Sequence, residues 1–229
     1  MFKHTELLDS IKHQHLKLTP INDFNFAKQQ ILAPISYTEI MLAAREYAIV
    51  FPKTTEGESN GLPVIVLGLH KTNQFVNAQG QWTAQYIPAH VRRYPFILGN
   101  NGQTDSFNVM IDTDSPNLST EQGEALFDKE ANQTQTLKNI VHFLSVFQQE
   151  SMATNAFVKS LRDADVLTER QIQQQIDGKD HVSLVGFEVI DQDKLNAVSD
   201  SQFIEWRKQG FLPLIYALLA SLDNIKQLA

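Results

Sequence analysis

The residues between Pro88 and Pro95 combine side chains that commonly bind anions or transfer protons. The segment YIPAHVRRYPFILGN, residues 86–100, holds His90, two adjacent arginines and Tyr94 around these prolines. An arginine binds a carboxylate or phosphate through two parallel N–H donors, and a histidine that titrates near neutral pH can serve as a general base. The segment is therefore the first candidate site in the chain.

The two prolines predict that this segment is short and rigid. Pro88 suits the start of a helical turn, and Pro95 disfavours helix in the residue before it, which leaves AHVRRY as one turn or a tight bend. Adjacent side chains diverge on a regular backbone. We therefore expect one of Arg92 and Arg93 to face inward, and the sequence leaves open which one.

An inward guanidinium is expected to have a carboxylate partner, because an unpaired buried charge is costly. The available carboxylates are Asp112, Asp114 and Glu39. The favoured interpretation is an arginine that ties this segment to the strand ending at Asp112, because ion pairs commonly have structural roles. The alternative is an arginine held ready for a ligand carboxylate or phosphate.

We predict that this segment and the turn at Asp112 line the principal cleft of the protein. An enzyme built there would use His90 as general base and an arginine as anion clamp, next to Asp112. No catalytic residue is assigned, because no complete catalytic motif is legible. The candidate binding residues are Trp82, Tyr86, His90, Arg92, Arg93, Tyr94 and Asp112.

Several site classes lack their signatures in this sequence. No GxGxxG, GxxxxGK[ST], GxSxG or HExxH motif occurs, and the chain contains no cysteine. The closest histidine pair, His13 and His15, lacks an evident third ligand, which a metal site requires. We predict no metal and no cofactor.

Charge and hydropathy limit the partners. The net charge is −7, with 10 Lys and Arg against 19 Asp and Glu in residues 101–229, and no basic run that would bind nucleic acid. The N-terminal residues lack an apolar signal-peptide run, and the longest apolar run, residues 211–222, is too short to cross a bilayer. We predict a soluble, cytoplasmic protein without membrane insertion, unless a dedicated system exports it to the surface.

The elements that position the candidate site begin with short runs of β-branched residues. Residues 47–51, 63–69, 107–112 and 182–190 are predicted strands, the last preceded by a turn at Asp177-Gly178. They predict a mostly antiparallel central sheet formed by the N-terminal half and residues 182–190.

Helical patterns occur on both sides of these strands. NDFNFAKQQIL and SYTEIMLAAREY look helical, and Ser36 with Glu39 has the spacing of a capping box. Apolar residues recur every three or four positions in three later segments, at 134–149, 156–167 and 212–225. Residues 199–209 are also a predicted helix, capped by Ser199 or Asp200 and ending at Gly210. STEQGEALF is also helix-prone, and residues 191–194 resemble a solvated turn. We expect one α+β domain, residues 1–229, strand-rich to about 120 and helix-rich from about 121, with C-terminal helices covering the sheet.

The order of these segments resembles the bacterial SapC family over nearly the whole chain. The most specific part is the W-x3-YIPAxxRRYPF block that starts at Trp82. The segments that carry the resemblance are His13 before LKL, ISYTEIMLAAREYAIVF, VIVLGLHKTNQFVNAQGQW, YIPAHVRRYPFIL, FNVMIDTDSPNLS, GEALFD, VGFEVIDQDKL and GFLPLIYALLASLDN.

The resemblance implies an association with bacterial surface layers. It also implies partners, because such proteins tend to be encoded beside flavin-dependent halogenase-like enzymes, cupin-like hydroxylases and TonB-dependent receptors. It supplies no catalytic residues. We expect an accessory protein that binds a partner protein or peptide. The alternatives are an enzyme with a His/Arg/Asp site around residues 90–112 and a structural protein of the surface layer.

Overall fold

The structure is a computed structural model that describes residues 1–53, 61–100, 107–176 and 179–228. It has an α+β fold, as predicted, in which the paired strands are antiparallel. The strands are β1 (Thr5–Leu7), β2 (Lys17–Leu18), β3 (Leu32–Pro34), β4 (Ile49–Pro52), β5 (Val64–Val66), β6 (Phe96–Asn100), β7 (Phe107–Asp112), β8 (Leu118–Ser119), β9 (Glu124–Ala125), β10 (Leu167–Ile176) and β11 (Lys179–Ile190). The helices are α1 (Ile40–Ala43), α2 (Ala89–Arg92), α3 (Gln135–Asp163), α4 (Gln192–Asn196), α5 (Asp200–Gln209) and α6 (Leu212–Ser221).

The central sheet has five strands in the order β10-β11-β4-β5-β3. Ile49 pairs with Ile65 across β4 and β5, and Phe187 of β11 pairs with Pro52. The prediction that residues 182–190 join the strands of the N-terminal half is confirmed. Consecutive residues of β4 and β5 are buried, which explains why their sequences are uninterrupted apolar runs.

A second sheet has the order β1-β7-β6. The predicted strand at 107–112 is confirmed as β7, but it belongs to this sheet and not to the central one. The reason is local, because β6 follows α2 closely and pairs with β7 from Phe96↔Ile111 to Asn100↔Phe107. A third small sheet joins β8, β2 and β9.

The C-terminal helices cover the central sheet. Phe157 and Leu161 of α3, Trp206 of α5 and Ile215 of α6 are buried in the same cluster as Ile65 of β5. The two apolar patterns predicted at 134–149 and 156–167 belong to a single helix, α3, which is 29 residues long and ends at Asp163. Helix α5 begins after Ser199, whose side chain accepts from the Gln202 N–H, and ends at Gly210 in the left-handed conformation.

Three local predictions are wrong. The segment NDFNFAKQQIL forms a 3-10 turn at Asn25–Ala27 and ends at the first residue of β3. The helix-prone STEQGEALF starts at the last residue of β8 and contains β9, and both strands pair with β2. Residues 191–194 form no simple turn, because Asp191 caps α4 by accepting from the backbone N–H groups of Asp193 and Lys194. In each case local propensity leaves several structures open and long-range pairing or capping selects one. The predicted turn at Asp177-Gly178 lies outside the described residues.

The segment from Ser36 to Tyr47 contacts the proline-bracketed segment of the candidate site. A 3-10 turn, Tyr37–Glu39, leads into α1, and the predicted capping box is present. The Glu39 carboxylate accepts from the backbone N–H of Ser36 at 2.8 Å. In the described ranges, no helix is both long and apolar enough to cross a lipid bilayer.

Candidate functional site

The proline-bracketed segment is held against the turn at Glu39. Helix α2 starts after Pro88, and its first N–H, from Ala89, donates to Glu39 Oε1 at 2.8 Å. The Tyr86 hydroxyl donates to the same oxygen at 2.6 Å. Glu39 is only 5% exposed. A buried carboxylate with several hydrogen bonds is a strong anchor, since charged acceptors form stronger hydrogen bonds than neutral ones.

A second carboxylate holds the start of the same segment. The backbone N–H groups of Gln85 and Tyr86 donate to the two oxygens of Glu46, at 2.8 and 2.9 Å. The buried Tyr47 hydroxyl donates to the Tyr86 carbonyl and accepts from Trp82 Nε1 at 2.9 Å. Trp82 and Tyr86 therefore lie together, fixed by Glu46 and Tyr47 of the α1 segment.

Arg93 is the inward-facing arginine, and it is not paired as predicted. Its guanidinium lies over the rings of Phe2, at 5.7 Å, and Phe147, at 5.2 Å. Among the described residues no carboxylate oxygen lies within 4 Å of it, and its buried Nε has no hydrogen-bond partner. Burial lowers the pKa of Arg93 to about 10. Two aromatic faces take the place of the expected ion pair.

Asp112 is unavailable to Arg93 because backbone groups already occupy its carboxylate. The side chain is fully buried and accepts from the N–H groups of Lys3 at 2.8 Å, His4 at 3.0 Å and Asp114 at 3.2 Å. Its role is to fasten the N-terminal residues to the end of β7. The predicted tie between an arginine and Asp112 is wrong. The segment reaches this strand through a backbone bond, from Asp112 N–H to the Pro95 carbonyl at 2.9 Å.

His90 is half-buried, and its Nδ1 is buried without a hydrogen-bond partner among the described residues. Burial, followed by the charges of Arg93 and the N-terminal ammonium, lowers the pKa of His90 to about 3. An imidazole with so low a pKa is a weak base at neutral pH. The structure also shows no hydrogen bond or ion pair from His90 to Asp112 within the described part of the chain.

Tyr94 belongs to a different surface from Tyr86. Its ring is buried and stacks on Phe26, with ring centres 4.1 Å apart and planes inclined by 15°. It lines a cavity of about 570 Å³ together with Phe2, Lys28 and Asp114. Thus Tyr94 and Asp112 lie on the side of the N-terminal residues.

Arg92 faces outward and lines a pocket of about 320 Å³. Its Nε donates to the Ile87 carbonyl at 2.9 Å, and its guanidinium lies 5.4 Å from the centre of the Phe143 ring. We name this cavity the Arg92 pocket. It lies between the turn at Glu39, helix α2 and helix α3, and its walls are Thr38, Glu39, Leu42, Tyr86, Ala89, Arg92, Phe143, Val146, Phe147 and Glu150.

The charges of the Arg92 pocket are opposite in sign and are not paired with one another. The Glu150 carboxylate lies within 3.1 Å of the Ser36 hydroxyl. Among the described residues, neither Glu39 nor Glu150 has a cationic nitrogen within 4 Å, and Arg92 has no carboxylate oxygen within that distance. The pocket thus offers the cation of Arg92, the anion of Glu150 and an aromatic wall, while the buried Glu39 carboxylate is occupied by its own hydrogen bonds.

The seven predicted residues therefore fall into three groups. Tyr86 and Arg92 line the Arg92 pocket, with Trp82 behind them. His90 and Arg93 lie one helical turn apart and face inward. Tyr94 and Asp112 lie towards the N-terminal residues. No group of three His, Asp or Glu residues suited to a metal ion occurs in the described ranges.

Comparison with known protein families shows which family the chain belongs to. The sequence model described as SapC matches residues 8–228. The protein belongs to the SapC family. No curated protein and no solved structure shows a significant match. The resemblance carried by the ordered segments is thereby confirmed.

Two of the segments that identify this SapC-family chain contact each other directly. ISYTEIMLAAREY supplies Glu39, Glu46 and Tyr47, and YIPAHVRRYPF supplies Tyr86 and the Ala89 N–H that they bind. These segments are joined by hydrogen bonds between carboxylates and backbone amides. Two of the segments that carry the family resemblance therefore form this long-range contact with each other.

The sequence analysis missed Phe143, Phe147 and Glu150 as pocket residues. They lie at i, i+4 and i+7 on α3, a spacing that places three side chains on one helix face. The sequence signal that could have identified them is Glu150, a charged residue that follows Phe143 and Phe147 on the same helix face. That this stripe faces Arg92 follows only from the packing of α3 beside α2.

Proposed function

We propose that this SapC-family protein is an accessory protein that binds a partner protein or peptide at the Arg92 pocket. The observation that carries the proposal is the pair of opposite charges, Arg92 and Glu150, that are not paired with each other on the walls of one aromatic pocket. Charges that the protein leaves unpaired are available to a complementary partner, for which they supply specificity and orientation.

The aromatic wall supports a binding role for the same surface. Phe143 and Val146 are half-buried and give a partner apolar area to bury, and the Arg92 guanidinium is held over the Phe143 ring. Aromatic residues and arginine are enriched where binding energy concentrates at interfaces. The rigid attachment of α2 to Glu39 preorganises the pocket, which reduces the entropy lost on binding.

The family suggests which partners to test. The proposed partners are the flavin-dependent halogenase-like and cupin-like enzymes that tend to be encoded beside such proteins, and the proposed place of action is the cytoplasm. Cell fractionation that finds the protein in an ordered surface layer would instead support a structural role in that layer.

Isothermal titration of the purified protein with each of these enzymes tests the proposal. We expect binding to at least one of them, weakened tenfold or more by Arg92→Ala, which is about 1.4 kcal/mol. Arg207→Ala is the matched control, because Arg207 is an exposed arginine on α5, away from the pocket. The proposal fails if neither enzyme releases or absorbs heat, or if Arg92→Ala binds as tightly as the unmodified protein.

A further inference from the structure

We infer that the Arg92 pocket binds a free peptide of about three residues, with the peptide carboxylate at Arg92 and its ammonium at Glu150. This inference rests on the proposed binding function and names the chemical class of the ligand.

The distance between the two charged ends sets the length of the ligand. Arg92 lies over Phe143, and Glu150 lies seven residues further along the same face of α3. At a rise of 1.5 Å per residue, this separation along the helix is about 10 Å. A ligand that satisfies both ends must carry opposite charges at a comparable distance.

The anionic end of the pocket lacks a counter-charge. Glu39 Oε2 and Glu150 Oε2 lie 3.2 and 3.1 Å from the same Ser36 hydroxyl oxygen. Glu39 Oε2 also accepts from the Ser36 N–H at 2.8 Å, whereas the Glu150 carboxylate has the Ser36 hydroxyl as its one hydrogen-bond partner among the described residues. An ammonium group has three N–H donors and a positive charge, so it would bind the remaining acceptor sites of Glu150 and offset the repulsion between the two carboxylates.

The cationic end suits a carboxylate. The Nε–H of Arg92 donates to the Ile87 carbonyl at 2.9 Å, which orients the guanidinium. A guanidinium held in this way binds a carboxylate with good geometry. The neighbouring Phe143 ring shields this contact from water on one side.

A tripeptide matches the distance between these ends. An extended chain spans about 3.3–3.6 Å per residue, so three residues place the terminal charges about 10 Å apart, whereas a single amino acid is too short. Val146 and Phe147 lie between the two ends of the stripe. They favour an apolar side chain in the middle of the peptide.

The test is isothermal titration with the tripeptide Leu-Ala-Leu. We expect the free peptide to bind, and we expect an N-acetylated form and a C-amidated form each to bind at least tenfold more weakly. The amino acid leucine should bind more weakly still. Acetyl-Lys-Leu-Glu-amide, which carries its charges on side chains within a capped chain, distinguishes a segment of a longer protein from a free peptide.

Two variants connect each peptide charge to its own end of the pocket. The Arg92→Ala variant should bind the C-amidated peptide as tightly as the free peptide, but it should still bind the N-acetylated peptide more weakly. The Glu150→Gln variant should bind the N-acetylated peptide as tightly as the free peptide and the C-amidated peptide more weakly. Glu205→Gln, on α5, is the control and should bind all peptides as the unmodified protein does. Thermal unfolding of each variant verifies that it is folded.

Equal binding of the free and capped peptides would overturn the inference, as would binding restricted to acetyl-Lys-Leu-Glu-amide. Absence of tripeptide binding would also overturn it. None of these results affects the proposed function if an enzyme partner still binds in an Arg92-dependent manner. The proposed function fails separately, in the titration with the partner enzymes.

Discussion

The backbone N–H of Ala89 donates to the buried carboxylate of Glu39 at 2.8 Å, across fifty residues of sequence. This bond joins the first turn of α2 to the end of the 3-10 turn before α1. It also explains why Glu39 is unavailable to either arginine as an ion-pair partner. The carboxylate acts as a cap for a short helix supplied by a distant part of the chain.

Replacing Glu39 with alanine should strongly destabilise the fold. The substitution leaves the N–H groups of Ser36 and Ala89 and the Tyr86 hydroxyl without their acceptor. Since hydrogen bonds to charged groups contribute about 1.5–3 kcal/mol each, we expect a loss of about 3 kcal/mol or more in the free energy of unfolding. Urea denaturation measures it, with the exposed Glu121→Ala as control. A loss below about 0.5 kcal/mol would contradict the anchoring role of Glu39.

Replacing Arg93 with methionine should change the stability little, by about 1 kcal/mol or less. Methionine preserves the apolar contact with Phe2 and Phe147, and the lost cation–π attraction is offset by removal of a partly buried charge.

The control for this substitution is Arg162→Met, which removes a half-buried ion pair with Glu188. We expect the control to lose more stability than Arg93→Met, since breaking such a pair leaves a carboxylate unpartnered. A loss of about 3 kcal/mol on Arg93→Met, measured by urea denaturation, would indicate a carboxylate partner for Arg93 and would disprove the aromatic arrangement.

His90 should stay neutral until the pH approaches 3. Since its folded-state pKa is about 3 and its unfolded value is near 6.5, the unfolded chain binds this proton first as the pH falls. His90 should therefore reduce the free energy of unfolding by up to about 1.4 kcal/mol for each pH unit as the pH falls from 6.5 towards 3.

Proton NMR titration of the imidazole measures this pKa directly. Unfolding in urea between pH 4 and 7 should show a shallower pH dependence for His90→Asn than for the unmodified protein, whereas His142→Asn, at an exposed position on α3, serves as the matched control. A His90 resonance that titrates near pH 6.5 would refute the prediction.

Tyr47 and Tyr86 should ionise later than ordinary tyrosines. Burial is the largest cause of the raised pKa of each, and the Glu39 carboxylate raises that of Tyr86 further. In a spectrophotometric titration of the folded protein, part of the phenolate absorbance should still be missing at about pH 11, and it should appear in urea.

Tyr47→Phe identifies the contribution of one residue to this titration. The variant should remove part of the late ionisation and should cost about 1–2 kcal/mol, because Trp82 Nε1 and the Tyr86 carbonyl lose their partner. Complete ionisation of the folded protein near pH 10 would contradict the buried position of both hydroxyls.

The sequence alone determined the elements whose signals are local. The capping box of Ser36 and Glu39, the helix after Ser199 and the strand at 107–112 follow from spacing and residue type, and the structure contains each of them. The family was also recognisable from the sequence, because it is identified by the order of segments such as W-x3-YIPAxxRRYPF. Such features depend on residues that are close together in sequence.

Tertiary structure alone decided how the charged side chains are partnered. The sequence favoured Asp112 as the partner of an arginine, with Asp114 and Glu39 also available, but the N–H groups of Lys3 and His4 occupy Asp112, and Ala89 occupies Glu39. Arg93 consequently packs between two phenylalanine rings, and Arg92 faces α3. Hydrogen bonds and aromatic contacts act over a few ångströms, so the partner of a charge is set by which distant segments the fold brings next to it.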